Sequence, residues 1–97
     1  MVNERNKLKK WKLLFTKAAL KDSKKILSAG LTKQTDKVLD ILEKNPFQNP
    51  PPFEKLVGDL AGCYSRRINI QHRIVYEVEL KDHSITIFRM FSHYGEN

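Results

Sequence analysis

The sequence predicts an α+β fold in which an N-terminal strand and two helices precede a mainly antiparallel sheet. Three observations lead there. Apolar residues recur at helical spacing up to Leu42 and alternate with a period of two from Cys63 onward. All four prolines fall between these halves, in the run PFQNPPPF. A length of 97 residues accommodates one hydrophobic core and leaves no room for a second, so residues 1–97 read as a single domain.

The elements follow in order. Residues 1–10, MVNERNKLKK, form a basic leader expected to stay solvated. Residues 11–15, WKLLF, are short and apolar enough for a first strand. Thr16 is placed to cap a helix running through Ala29, in which Ala19, Leu20, Ile26 and Leu27 recur at helical spacing and Gly30 supplies the stop. A second helix fits residues 33–44, with Val38, Leu39, Ile41 and Leu42 on one face. Asn45-Pro46 ends it, because a residue before proline avoids helical backbone. The proline run, residues 46–53, is expected to be an extended, stiff connection over the surface that determines where Glu54 emerges.

Strands are expected at residues 63–68, 72–80 and 84–91. In the first, Tyr64, Arg66 and Ile68 share a face, and Ser65 and Arg67 point the other way. In the second, Ile74, Tyr76, Val78 and Leu80 oppose Arg73, Val75, Glu77 and Glu79. Residues directly opposite in an antiparallel hairpin project to the same side, so aligning the apolar faces requires an odd-numbered turn around residues 69–71. That register sets Arg67 beside Arg73. Two adjacent guanidiniums repel unless an anion lies between them, and a phosphate answers that need. The third strand is apolar on both faces (Ile85, Ile87 and Phe91 against Phe88 and Met90), so its parity does not decide where His93 points. Arg66 and His72 fall on the apolar face and read as structural, Arg66 with a buried stem. His83 lies in a turn and is expected to be exposed.

Composition bounds the setting. Eighteen Lys and Arg against eleven Asp and Glu give a net charge of +7, which favours a polyanionic partner through counterion release. No apolar run approaches the ~20 residues of a membrane span, and the start lacks the apolar core of a signal peptide. A lone cysteine, Cys63, agrees with a reducing compartment. The expectation is a cytoplasmic protein without a membrane role.

The residues able to do chemistry concentrate in FEKLVGDLAGCYSRRINIQHRIVY and in the closing FSHYGEN. They comprise one carboxylate, Glu54, two arginines at strand spacing, Arg67 and Arg73, and the pair His93-Tyr94. Neither a metal-ligand spacing nor a nucleophilic cysteine motif accompanies them, so no cofactor and no metal are expected. RNA brings its own nucleophile, the 2′-hydroxyl. Its cleavage needs only a base, an acid and cationic stabilisation of a phosphorane-like transition state.

E-x-L, then L-x-G-x-[aromatic]-S-R-R-I, then H-R-[I/V]-V-Y, then a closing H-Y, resembles the YoeB/Txe toxins of the RelE/ParE superfamily, from about Trp11 to Tyr94. The resemblance implies a RelE-like, microbial-RNase-like fold. It also implies a ribosome-dependent mRNA endonuclease, the toxin of a type II toxin–antitoxin pair. By the same resemblance Glu54 matches the general base and His93 the general acid. Arg67 and Arg73 match the phosphate-stabilising pair, and Tyr94 matches a substrate-positioning tyrosine; His93 and Arg73 are assigned to the chemistry and neither to the core. Implied partners are an acidic antitoxin of the YefM/Axe kind, the ribosome and mRNA, and a second copy of the chain. The sequence departs from the pattern where Phe53 and Lys55, rather than prolines, flank Glu54, and where Gly95 to Asn97 follow the His-Tyr pair. Two other readings stay open: a catalytically inactive RNA-, ribosome- or protein-binding module of the same fold, and a ParE-like relative acting on DNA gyrase.

Overall fold

The computed structural model describes residues 10–92; most of the basic leader, together with His93 and Tyr94, lies outside them. Strand β1 (Lys12–Phe15) is followed by helices α1 (Lys17–Ser28) and α2 (Thr32–Lys44). Four strands then complete the sheet: β2 (Glu54–Lys55), β3 (Tyr64–Arg67), β4 (Arg73–Glu79) and β5 (Ser84–Ser92). The sheet runs β1-β5-β4-β3-β2, with β1 parallel to β5 and every other pairing antiparallel. The α+β order is the one expected, to within a residue or two at the ends.

Local chemistry explains the helix boundaries. The Thr16 side chain accepts the Ala19 amide at 3.1 Å, an N-cap that satisfies one orphan donor of α1. At the other end Gly30 takes φ +73°, and the amides of Leu31 and Gly30 reach back to the carbonyls of Ile26 and Leu27. That is a Schellman closure, which needs the left-handed backbone glycine adopts without penalty. The core joins Ala19 and Ile26 of α1 and Val38 and Leu42 of α2 to Ile74, Tyr76, Ile85, Ile87 and Met90 of the sheet. Leu20 and Leu27, expected on the buried stripe, are 54% and 71% exposed; the inward position between Ala19 and Ile26 belongs to Asp22.

Strand β5 departs most from its sequence pattern. Two register shifts interrupt its pairing with β4, between Arg73 and Val75 and between Val75 and Tyr76. A bulge inserts a residue and reverses the alternation beyond it, so Met90 joins Ile85 and Ile87 in the core despite its opposite parity. The backbone groups freed there find partners on α1 and its cap. Thr16 Oγ1 donates to the Phe88 carbonyl at 3.0 Å, and Asp22 accepts the amides of Met90 and Phe91 at 2.9 and 3.3 Å.

Two further expectations are revised. The proline segment, residues 46–53, does not run extended over the surface: Pro46 is fully buried, the Asn49–Pro50 and Pro50–Pro51 peptides are cis, and the segment folds around the Arg66 side chain. Its exit adds a short strand, β2, which alternation could not reveal in two residues. His83 is half-buried instead of exposed. Its backbone takes φ +56°, and its ring stacks on Trp11, the residue before β1, with centroids 3.9 Å apart. Among the described residues, no helix is long and apolar enough to cross a membrane.

Candidate active site

Register brings the charged residues together. Arg67 pairs directly with Arg73 across the β3–β4 hairpin, whose turn is odd-numbered as the matched faces require, and Glu54 pairs with Ser65. Arg73 lies diagonally across from Ser65, so Glu54, Ser65 and Arg73 occupy one face of three adjacent strands. The Arg73 guanidinium donates to Ser65 Oγ at 3.0 Å and stands 3.5 Å from Glu54 Oε1.

The two arginines differ in setting. Arg73 is 3% exposed, which corrects the expectation that it stays out of the buried interior, whereas Arg67 is exposed and donates to the Ile70 carbonyl at 3.2 Å. The difference follows from position. β4 lies inside the sheet, with β5 on one side and β3 on the other, while Arg67 ends β3 at the hairpin turn. Glu54 keeps 55% of its side chain in solvent. A cleft of about 140 Å³ gathers Glu54, Arg66, Arg67 and Arg73, walled by Val38, Pro51 and Pro52. The Arg66 guanidinium is taken up by backbone carbonyls, which leaves Arg67 and Arg73 against one carboxylate, a net positive balance that favours an anion. One acceptor able to take a proton and two cations able to hold a phosphate stand on one wall.

His93 and Tyr94 lie outside the described residues, and their placement is not part of this geometry. Ser92, the residue before His93, is the β5 partner of Arg73, and its hydroxyl donates to the Arg73 carbonyl at 3.4 Å. Among the described residues, no three His, Cys, Asp or Glu converge as a metal-ligand set would. A wider groove of about 390 Å³ lies between α1 and α2, lined largely by Phe15, Leu20, Ile26, Leu27 and Leu39. Its walls are mainly apolar, with Ser23, Thr32, Thr35 and Asp36 among them.

Two residues that sequence reasoning passed over or understated shape the site. Asp22, 1% exposed, holds Arg89 through bonds of 2.7 and 3.1 Å in addition to the two β5 amides. Burial pushes its carboxyl up, but the Arg89 guanidinium and the Met90 and Phe91 amides outweigh that, and it lies below the usual carboxylate range. An aspartate in the middle of an apolar helical stripe was the available signal. Arg66 is buried to its guanidinium at 1% exposure, not merely along its stem. It donates to the carbonyls of Pro46, Gln48 and Pro51 and to Tyr76 Oη. Burial raises the Tyr76 phenol, with Arg66 opposing, so Tyr76 stays a neutral donor and bonds the Pro46 carbonyl at 3.2 Å. Cys63 is half-buried, and burial together with the Glu77 charge raises its thiol, which suits an inert position.

Residues 15–94 match the family described as the YoeB-like toxin of bacterial type II toxin–antitoxin systems. A toxin YoeB of Streptomyces coelicolor is 34% identical over 64 residues, which are 66% of this chain and 74% of that protein. Among solved structures, a YoeB/ParE toxin from Agrobacterium tumefaciens superposes with a TM-score of 0.76 at 28% identity, covering 86% of this chain and 99% of its own. Two Staphylococcus aureus structures, a YoeB–YefM complex and a YoeB dimer, give TM-scores of 0.72 and 0.73. Each is 32% identical over 87% of this chain and 98% of the other.

Proposed function

The chain belongs to the YoeB-like toxins of bacterial type II toxin–antitoxin systems, and from that premise we propose that it is a metal-independent, ribosome-dependent mRNA endoribonuclease that inhibits translation. Glu54 removes the proton from a ribose 2′-hydroxyl, whose oxygen then attacks the adjacent phosphorus. Arg67 and Arg73 hold the charge that develops on the phosphoryl oxygens. His93 protonates the departing 5′-oxygen, and Tyr94 positions the substrate. The products are a 2′,3′-cyclic phosphate and a 5′-hydroxyl.

The observation that carries this reading is the meeting of Glu54, Arg67 and Arg73 on one sheet face, from three adjacent strands. Glu54 is half in solvent, so a substrate reaches it without opening the fold. Pairing of Ser92 with Arg73 supports the role of His93, the residue covalently next to it. An acidic, YefM-like antitoxin is the proposed partner, since a +7 chain attracts an acidic segment and one S. aureus neighbour is a YoeB–YefM complex. A homodimer is proposed on the likeness to the S. aureus YoeB dimer. The working place is the cytoplasm, where mRNA and ribosomes meet.

Induced expression with primer-extension mapping of cellular mRNA tests the assignment, and the expected result is growth arrest with new 5′ ends inside translated messages. Cleavage in a translation system should persist under a transition-metal chelator when Mg²⁺ is kept for the ribosome. Full toxicity of a stably expressed His93→Ala protein would overturn the general-acid role. Ribosome binding without any cut would instead favour the inactive binding module.

A further inference from the structure

Arg66 presents an energetic puzzle. Its guanidinium is 1% exposed, and among the described residues its contacts are carbonyls, a phenol and the Phe53 ring, with no carboxylate to balance the charge. An apolar side chain of similar volume is usually the cheaper occupant of such a place. What an apolar residue could not do is donate hydrogen bonds, and the adjoining segment needs donors. Residues 46–53 hold four prolines, which lack N–H groups. Beyond a Gln48 amide to Asn45 carbonyl turn and a Gln48 side-chain bond to the Pro50 carbonyl, the segment has few donors for its own carbonyls. Arg66 offers a planar fork of five N–H donors. Nη2 reaches the carbonyls of Pro46 and Gln48 at 2.9 and 2.7 Å, Nη1 that of Pro51 at 2.7 Å, and Nε the Tyr76 hydroxyl at 3.1 Å. The same guanidinium lies 4.8 Å from the centroid of the Phe53 ring. Glu54 is the next residue, and beyond it β2 is held to β3.

We propose that Arg66 is the positioning residue of this site: its clasp on the proline segment sets where Glu54 stands relative to Arg73. This deepens the reading of Glu54 as general base and rests on it. Glu54 is secured from both sides, by the clasp upstream and by the β2–β3 ladder with the 2.9 Å Leu56 amide to Cys63 carbonyl bond downstream. Two residues of ladder are too few to hold a base within catalytic tolerance, and the clasp supplies the remainder. Arg66 does not touch the reacting atoms in this arrangement; it acts through Glu54.

Two variants test the clasp. Arg66→Lys keeps the charge but has a single nitrogen that cannot span three carbonyls. Tyr76→Phe removes one member of the clasp with little change in volume and keeps the test open if Arg66→Lys fails to fold. Amide exchange at Glu54, Lys55 and Leu56 should accelerate in whichever variants fold, while exchange in β4 and β5 stays as in the wild type. In single-turnover cleavage of a reporter mRNA on programmed ribosomes, the rate should fall by up to about 10²-fold in Arg66→Lys and less in Tyr76→Phe, with ribosome affinity unchanged. In a Glu54→Gln background, the same substitutions should cost no further rate, because they act only through the missing base.

Unchanged exchange at residues 54–56 in a folded variant overturns the clasp whether or not the protein cuts RNA. Additive rate losses in the Glu54→Gln background would show a general structural role and overturn the positioning claim. A wild-type protein that cuts nothing, with exchange still responding, would bring down the endonuclease reading and leave the clasp standing.

Discussion

Two carboxylate–arginine pairs among the described residues, one joining α1 to β5 and one joining β2 to β4, are built differently. Asp22 and Arg89 meet through two bonds of 2.7 and 3.1 Å, the carboxylate is 1% exposed, and two backbone amides fill its remaining acceptor sites. Glu54 and Arg73 meet at 3.5 Å, with the carboxylate 55% exposed and the buried member being the arginine. The carboxylate of the first pair is saturated, so nothing more can bind to it without breaking a bond already made. In the second, a phosphate can replace the carboxylate at Arg73, and the carboxylate is free to take a proton. Saturation marks the structural carboxylate, and exposure marks the one proposed to react.

The largest expected effect sharpens that contrast on the reactive side. Glu54→Gln should lower single-turnover mRNA cleavage by roughly 10²- to 10⁴-fold, the worth of one well-placed general base. Its urea midpoint should stay close to wild type, since the carboxylate is half in solvent and glutamine keeps an acceptor for Arg73. Arg67→Ala, also exposed, is the matching cation test. Arg73→Ala is less clean, because removing a buried side chain costs stability whatever its role. Large destabilisation by Glu54→Gln without loss of cleavage would invert the comparison.

On the structural side, Asp22→Ala should cost about 3 kcal/mol in urea unfolding, the low end for breaking a buried pair because Arg89 remains a third exposed. Part of that loss comes from the orphaned Met90 and Phe91 amides, so Arg89→Ala should cost less than Asp22→Ala. A larger cost for Arg89→Ala would make the ion pair, not the amide capture, the important contact.

The smallest effect concerns pH. Asp22 titrates below its ordinary range when folded, so its contribution is fully present above the unfolded carboxylate value of about 4 and is lost as pH falls through the folded value. Urea midpoints measured from pH 7 down to pH 3 should therefore fall less steeply for Asp22→Asn than for the wild type. Equal slopes would remove Asp22 from the acid sensitivity of the fold.

Much was legible in the chain itself. Thr16 and Gly30 delimit α1 through local hydrogen bonds and a local backbone requirement, and both act where the sequence places them. The β3–β4 register followed from matching two apolar faces, and it set Arg67 opposite Arg73. Such features are decided by neighbours in sequence or by a period of two, which a linear reading can count.

Other features depended on partners distant in sequence. The bulges of β5 are invisible in its alternation, because what stabilises them is Thr16 and Asp22, reached across 72 and 67 to 69 residues of chain. The proline segment looked like an independent spacer because the donors that shape it belong to Arg66 and Tyr76, on strands that follow it. Burial of Arg73 and exposure of Glu54 arise from the strand order, which puts β4 inside the sheet and β2 at its edge. Residue types and their spacing determined which chemistry the chain can attempt. Only the packed sheet decided which carboxylate is locked and which is open, because access to solvent and the number of unfilled hydrogen-bond sites are properties of the assembled fold and not of the order of residues.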